Sequence, residues 1–437
     1  MIHDVDVIVI GAGLSGLVCA TRLVGGGARV RVLEARPRVG GRLLGRRVGD
    51  GVFDLGGQWW TSGQPRLAAL ADELGVARAP QHRLGEAVVA LAPDGAPRSL
   101  PGRVVAALAR GRRLAALSRM IARAAAGDLP AAWDHESVGA WLARELGDPV
   151  LRAHVALHCE MTFATDPDEL SLLDYLTQLA ATGGHGDPFD GRPGDEHRLV
   201  PGAHALPARL AAALGERVTC AAPVVAVRDG GGPVEVEVDG GAVARAGRVV
   251  LAVPPAVARA IAFSPALPPA LAAAAQASRP GPVVKCVAVY ARPFWRDEGR
   301  SGEAYLRPGL VRATVDACTD DGVAALAAFV VAGPARTWAA APLAQRQATV
   351  RAELGRLFGP AAAAPVDLAC VDWGAERWSA GCVPTLPPGA RAGGAAWRGA
   401  HGRVVLAGTE AATTWPGFME GAIEAGEVAA AAILAGA

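Results

Sequence analysis

The feature that most constrains this chain lies at its start. Val5–Ile10 is short, apolar and mostly β-branched, the composition of a strand buried on both faces of a parallel sheet. Gly11-Ala12-Gly13-Leu14-Ser15-Gly16 follows, Leu17–Leu23 has helical periodicity, and Gly25–Gly27 end that helix. Arg29–Leu33 then reads as a second strand ending at Glu34, which completes a βαβ unit. Gly11 permits the tight turn, Gly13 lets the backbone approach a pyrophosphate, and Gly16 allows close helix–strand contact. Leu14 and Ser15 open the helix, whose N-terminus favours negative charge. Glu34 stands about 20 residues past the turn, where a carboxylate accepts both ribose hydroxyls of an adenosine and disfavours a 2′-phosphate. A GxGxxG alone is a weak signal; between this strand, this helix and this acid it predicts a dinucleotide site.

Further along, Leu67–Leu74, Val104–Ala126, Leu151–Ala181 and Leu343–Phe358 read as helix. Val218–Val227, Val234–Val238, Arg248–Val253, Pro282–Tyr290 and Ala324–Val331 read as strands, and Gly183–Gly194 as a surface loop. Val404–Ala407 is a last strand; it runs into Gly408 and then a helix from about Gly417 to Leu434. A nucleotide unit at one end and strand–glycine–helix at the other predict that both ends share one sheet, with a second domain inserted between. The Val104–Ala126 stretch carries Arg110, Arg112, Arg113, Arg119 and Arg123, a pattern open to a membrane surface or an acidic partner. In a chain this rich in arginine, the plainer reading is a solvated helix face.

Composition narrows the class. With 437 residues, 51% of them hydrophobic and 19% charged, the chain can bury the large core of a multidomain enzyme. A net charge of +1 gives no electrostatic footprint for nucleic acid. The seven cysteines are scattered and form no metal-ligand cluster with the nine histidines, so a reducing compartment and no metal are expected. No apolar stretch approaches the roughly 20 residues of a membrane span, and the expected location is cytoplasmic without a membrane anchor.

Glu34-Ala35-Arg36-Pro37-Arg38-Val39-Gly40-Gly41-Arg42 resembles the flavin-containing amine oxidase (monoamine oxidase) family. In that family the second glycine turn wraps the FAD pyrophosphate, which implies Ala35, Arg36, Gly41 and Arg42 as cofactor contacts; physically, an arginine fork suits phosphate oxygens. Asp54-Leu55-Gly56-Gly57-Gln58-Trp59 is similar to the segment passing along the isoalloxazine, implying Gly57, Gln58 and Trp59, and Val224 or its neighbour Val225 matches an adenine position. Val283-Val284-Lys285-Cys286 looks like the strand whose lysine holds a water against flavin N5, and Lys285 is the implied catalytic residue. On its own chemistry, a lysine in an apolar strand must find a polar partner or a solvated cavity. Trp373 and Trp378 match flavin-lining aromatics; Cys382 matches a position that carries the flavin as a thioether in monoamine oxidases and is otherwise a free thiol. Gly408-Thr409-Glu410 and Trp415-Pro416-Gly417-Phe418-Met419-Glu420-Gly421-Ala422 match the C-terminal flavin signature, with Phe418, Met419 and Ala422 at a helix N-terminus.

The resemblance implies an α/β fold: a Rossmann-like FAD-binding domain of the GxGxxG type with an inserted α+β substrate-binding domain. Residues 1–80, 201–260 and 371–437 are expected to bind FAD, 81–200 to be mainly helical, and 261–370 to supply the substrate-domain sheet. The implied reaction is oxidation of a C–N bond to an imine, which water hydrolyses, with O2 reduced to H2O2. An oxidase or desaturase of a biosynthetic intermediate, an amino acid oxidase, and a flavin carrier without turnover are the alternatives. The two parallel tyrosines that flank the amine in monoamine oxidases are replaced by Val383 and Phe418, and Trp59 stands where venom-type amino acid oxidases carry an arginine. Gln178, Thr182 and Asp195 match other pocket-lining segments; Asp195 would attract a cationic amine. The expected partners are a small amine and O2, with a homodimer as the assembly.

Overall fold

A computed structural model describes residues 5–92, 94–101, 115–183, 197–391 and 397–436. Asp195, most of the Gly183–Gly194 loop, and Arg110, Arg112 and Arg113 lie outside the described residues. Of the basic stretch, Ala115–Ala125 is helix.

Three separated parts of the chain build a nine-stranded sheet. Its order is 218–219, 30–33, 5–10, 243–251, 234–238, 224–228, 262–264; 404–406 also pairs with 243–251, and 400–401 with 404–406. The first strand lies parallel between Val30–Leu33 and the C-terminal half of Val243–Leu251, buried from Val7 to Ile10 as its unbroken apolar run requires. Val404–Leu406 pairs parallel with Val249–Leu251, so both chain ends meet in this sheet.

The first helix spans Leu14–Gly25 and the closing helix Met419–Leu434; the two pack face to face. Small residues make that approach possible. A Cβ on Gly426 would lie 2.4 Å from the Ser15 carbonyl oxygen, and Ser15 Oγ donates to Ala407 O. A Cβ on Gly16 would fall 2.0 Å from Gly11 O. The helix opens there because that residue has no side chain.

A seven-stranded sheet, in the order 367–372, 283–290, 324–331, 313–316, 300–306, 86–90, 98–101, forms a second layer. Apolar side chains cover both of its faces, one against Trp338, Val350 and Phe358, the other against Phe53, Leu55 and Ala164. The helices Val138–Glu145, Pro149–Phe163 and Leu172–Ala181 gather around Phe163, Tyr175 and Leu176.

Two expectations need correction. Val218–Val227 is not one strand: Ala221 takes a left-handed φ of 53°, and the chain breaks into Val218–Thr219 at one edge and Val224–Arg228 near the other. The crossing is pinned by backbone donation from Ala221 to Arg36 O and from Ala222 to Glu34 O. Residues 81–200 open with the strands Glu86–Ala90 and Arg98–Pro101 ahead of their helices. The cysteines are not all unpaired either, since Cys286 and Cys370 are direct cross-strand neighbours and form a disulfide. Among the described residues no helix is long and apolar enough to cross a membrane.

Candidate active site

The glycine turn ends where the first sheet stops. Gly11 has a φ of 103° and, like Gly16, is enclosed by the protein's own backbone. Gly13 differs: a Cβ there would meet nothing within 4 Å. Its openness faces space that the polypeptide does not fill, at the N-terminus of a helix that no side chain caps. Glu34, 3% exposed, accepts from Ala12 N at 2.8 Å and Arg36 N at 2.9 Å. With a longer bond from Arg36 Nη1 at 3.5 Å, these still leave part of the carboxylate's capacity for other donors. The second glycine turn lies against the first: Gly40 N donates to Ala12 O, and a Cβ on Gly41 would come within 3.2 Å of Gly13 Cα. Ala35 follows Glu34 directly in this layer. Val224 is buried in the sheet, whereas Val225 is 36% exposed.

Arg36 and Arg42 tie this layer to the C-terminal segments. Arg36 donates to Glu376 and, at 2.7 Å, to Ser379 Oγ. Arg42 donates to Glu410 Oε1 and to Cys382 O, both at 2.8 Å. Its fork thus links the second glycine turn to both C-terminal segments. Glu410 Oε2, by contrast, is buried without a hydrogen-bond partner. Such an atom asks for a donor the polypeptide does not provide.

Asp54-Leu55-Gly56-Gly57-Gln58-Trp59 runs beneath the lysine strand. Trp373 Nε1 donates to Leu55 O at 2.8 Å, while Trp378 is half-buried and stacked by Arg377. Lys285, only 2% exposed, donates to Gly56 O at 2.9 Å and to Gln58 Oε1. The rings of Trp59 and Phe329 lie 5.9 and 5.4 Å from its nitrogen, and those rings are 5.5 Å apart. Burial brings the Lys285 pKa down to about 8, against the opposing pull of Asp54 and Cys382. Asp54 is itself held by His204 Nδ1 at 2.7 Å and Ala203 N at 2.7 Å. Burial pushes the Cys382 thiol up, with Arg42 acting the other way.

The C-terminal signature folds into a compact hook. Gly408 precedes Thr409, whose hydroxyl donates to Phe418 O and accepts from Gly417 N. The closing helix begins at Met419 with Phe418 as an uncapped N-terminal residue, and Ala422 lies in its first turn. Of the substrate candidates, Val383 and Phe418 come together: a Cβ on Gly417 would meet Val383 Cγ1 at 2.7 Å, and Trp415 packs edge-on against Phe418 at 5.3 Å. The Leu172–Ala181 helix ends beside them, since Trp415 N donates to Ala181 O. Gln178 turns to Asp174 Oδ2 and Pro384 O, and the Thr182 hydroxyl donates to Leu179 O.

Several supporting residues escaped the sequence. Asp54, His204 and Glu376 act through partners more than 100 positions away and left no local mark. Glu420 and Glu424 did leave one, two acids four apart near the start of a largely apolar helix. Glu420 accepts from Arg66 N and Leu67 N, and Glu424 from Thr413 N and Thr414 N. Among the described residues no group of His, Cys, Asp and Glu could hold a metal ion.

In outline the site joins an open glycine turn at a helix N-terminus, a buried carboxylate beside it, and a buried lysine among aromatic rings. The family model for flavin-containing amine oxidoreductases matches residues 14–434. A putative flavin-containing monoamine oxidase, AofH, from Mycobacterium tuberculosis is 35% identical over 99% of this chain and 97% of its own length. A probable flavin-containing monoamine oxidase A from Dictyostelium discoideum is 32% identical over 96% and 95%. A solved structure of putrescine oxidase bound to putrescine superposes with a TM-score of 0.92 at 30% identity, covering 99% of both chains. The chain belongs to the flavin-containing amine oxidoreductase family. It is an FAD-dependent enzyme that oxidises an amine to an imine with O2 as acceptor and H2O2 as product.

Proposed function

We propose that FAD lies along the seam between the glycine turn and the hook at 408–422, with the amine held between Lys285 and the Val383–Phe418 wall. The observation that carries this reading is Lys285, a buried cation fixed to the segment Gly56–Gln58 that follows the nucleotide motif. Open space at Gly13, two uncapped helix N-termini and the unpartnered Glu410 oxygen support an anionic, hydroxyl-bearing cofactor there. In this reading the nine-stranded sheet belongs to a Rossmann-like FAD domain made from 1–80, 201–260 and 371–437. The helices of 81–200 and the sheet of 261–370 form an inserted substrate domain, and Cys382 anchors the flavin as a thioether.

Bound FAD supplies the hydride acceptor for the amine's α-carbon and the electrons for oxygen. The protein's part is placement and charge. Trp59, Phe329, Val383 and Phe418 offer an apolar wall, which selects an amine with an apolar body and excludes water from the reacting carbon. The Lys285 ammonium stands where negative charge builds as oxygen is reduced, and a fixed cation in a dry site favours that charge. It keeps its proton below about pH 8 and loses it above, so the oxygen step slows as pH rises through that value. A homodimer and a cytoplasmic location complete the reading; sedimentation and fractionation test them.

The enzyme's flavin band should bleach anaerobically with primary amines bearing branched or cyclic alkyl groups. Lys285→Met should leave bleaching within about ten-fold and slow reoxidation by about a hundred-fold or more. A flavin that no amine in a broad panel bleaches removes the assigned site. The denatured protein should carry the FAD mass, lost in Cys382→Ser; a free apoprotein mass removes the thioether.

A further inference from the structure

Gln58 enters the sequence reading as one of several flavin-edge residues, yet its side-chain oxygen is turned to the lysine nitrogen. We propose that Gln58 is a positioning residue for Lys285, setting with Gly56 O both where the buried nitrogen stands and how firmly it holds its proton. This rests on the reading of Lys285 given above. Lys285 projects from the strand Val283–Tyr290 and meets two acceptors from one short segment, Gly56 O and Gln58 Oε1. Phe329, on the neighbouring strand, and Trp59 supply ring faces. The charged group that bears on it is Asp54, from the strand leading into the glycine segment, which favours the ammonium; Cys382, from the facing loop, would do so only as a thiolate and carries no charge as the thioether proposed above. Among the described residues no carboxylate lies within ion-pair distance of Nζ.

The residue type is what matters. A carboxylate at 58 would lock the ammonium, while an apolar side chain would leave a buried cation with one acceptor. An amide oxygen satisfies a donor without adding charge, so the nitrogen can hold or release its proton near the working pH. Placing the amide on the segment proposed to run along the flavin makes the nitrogen's position follow the cofactor's.

The test uses the holoenzyme of the wild type, Gln58→Glu, Gln58→Met and Lys285→Met. Two quantities are followed against pH: the visible absorption of the resting flavin, and the rate at which oxygen reoxidises the amine-reduced enzyme. Gln58→Glu should move the inflection of both up by about one pH unit or more, and Gln58→Met should move it down by a similar amount. Lys285→Met should remove the inflection. A merely structural Gln58 would not shift the inflection in opposite directions. If Lys285→Met removes it and the Gln58 variants leave it in place or move it the same way, the role of Gln58 is overturned and that of Lys285 stands. If Lys285→Met keeps both the inflection and the rate, both fall. Gln58→Asn, whose amide falls one methylene short of the nitrogen, should move the inflection in the same direction as Gln58→Met, and the resting flavin absorption of every variant reports whether it has folded around FAD.

Discussion

Gly13 and Lys285 show how single residues separate what the fold needs from what the chemistry needs. Gly16 and Gly11 are enclosed by backbone, so a side chain at either displaces the polypeptide itself. Gly13 has an ordinary extended conformation, φ −72° and ψ 175°, and open space around its missing Cβ. Gly13→Ala should therefore fold with the thermal stability of the wild-type apoprotein but bind FAD at least about ten-fold more weakly, because the methyl group occupies pyrophosphate space. Equal FAD affinity in a fluorescence titration would move the cofactor elsewhere. Lys285 is the opposite case, a residue the fold would be better without. Its pKa falls from 10.5 to about 8, equivalent to about 3 kcal/mol of disfavour for the buried charge. The folded value is the lower one, so the unfolded chain binds more protons between about pH 8 and 10.5, and stability rises with pH through that window. Lys285→Met should stabilise the protein by about 1–3 kcal/mol at pH 7 and by progressively less toward pH 10.5. A denaturation series that finds no such convergence removes the depressed pKa.

At the scale of elements, the closing helix does more than fill the gap against the first helix. Glu420, 1% exposed, accepts from the first two N–H groups of the Pro65–Glu73 helix, a cap delivered from across the molecule to a helix whose own N-terminal residue provides none. Glu424, one turn on, holds Thr413 and Thr414 and with them the loop that presents Trp415 and Phe418. Glu420→Ala should cost about 2 kcal/mol, from lost cap bonds and a buried void. Glu427→Ala is the contrast. That glutamate pairs with Arg22 and Arg66 while 36% exposed, and its loss should cost less than about 0.5 kcal/mol because solvent already screens those pairs. Equal melting shifts for the two variants would contradict the capping argument.

Across the whole molecule, one sheet draws on strands at 5–33, 218–264 and 404–406, so neither end is complete without the other. A chain cut after Gly402 would lose Val404–Leu406 and the helix that buries Leu17 and Leu23. It should be expressed insoluble or without flavin, and a soluble yellow product would break the two-ended account. A cofactor bridging both ends should also couple them thermally. At free FAD about a hundred times its Kd, stabilisation should approach about 2.7 kcal/mol and be felt by probes in both halves of the sheet.

Local order carried the strands Val5–Ile10, Val234–Val238 and Ala324–Val331, the helix Leu343–Phe358, the glycine turn and Glu34, because each is written in contiguous residues whose periodicity or turn chemistry admits few alternatives. The family resemblance added the lysine strand and the hook. What the sequence alone could not settle was which distant groups meet. It did not show that Val218–Val227 breaks at Ala221 to bond the Arg36 and Glu34 backbone carbonyls, that Cys286 faces Cys370, or that Arg42 rests on Glu410. Nor did it show that Gln58 turns to Lys285. Those pairings join positions up to several hundred residues apart, and their energies exist only once packing has excluded water and left each buried polar atom to find its partner.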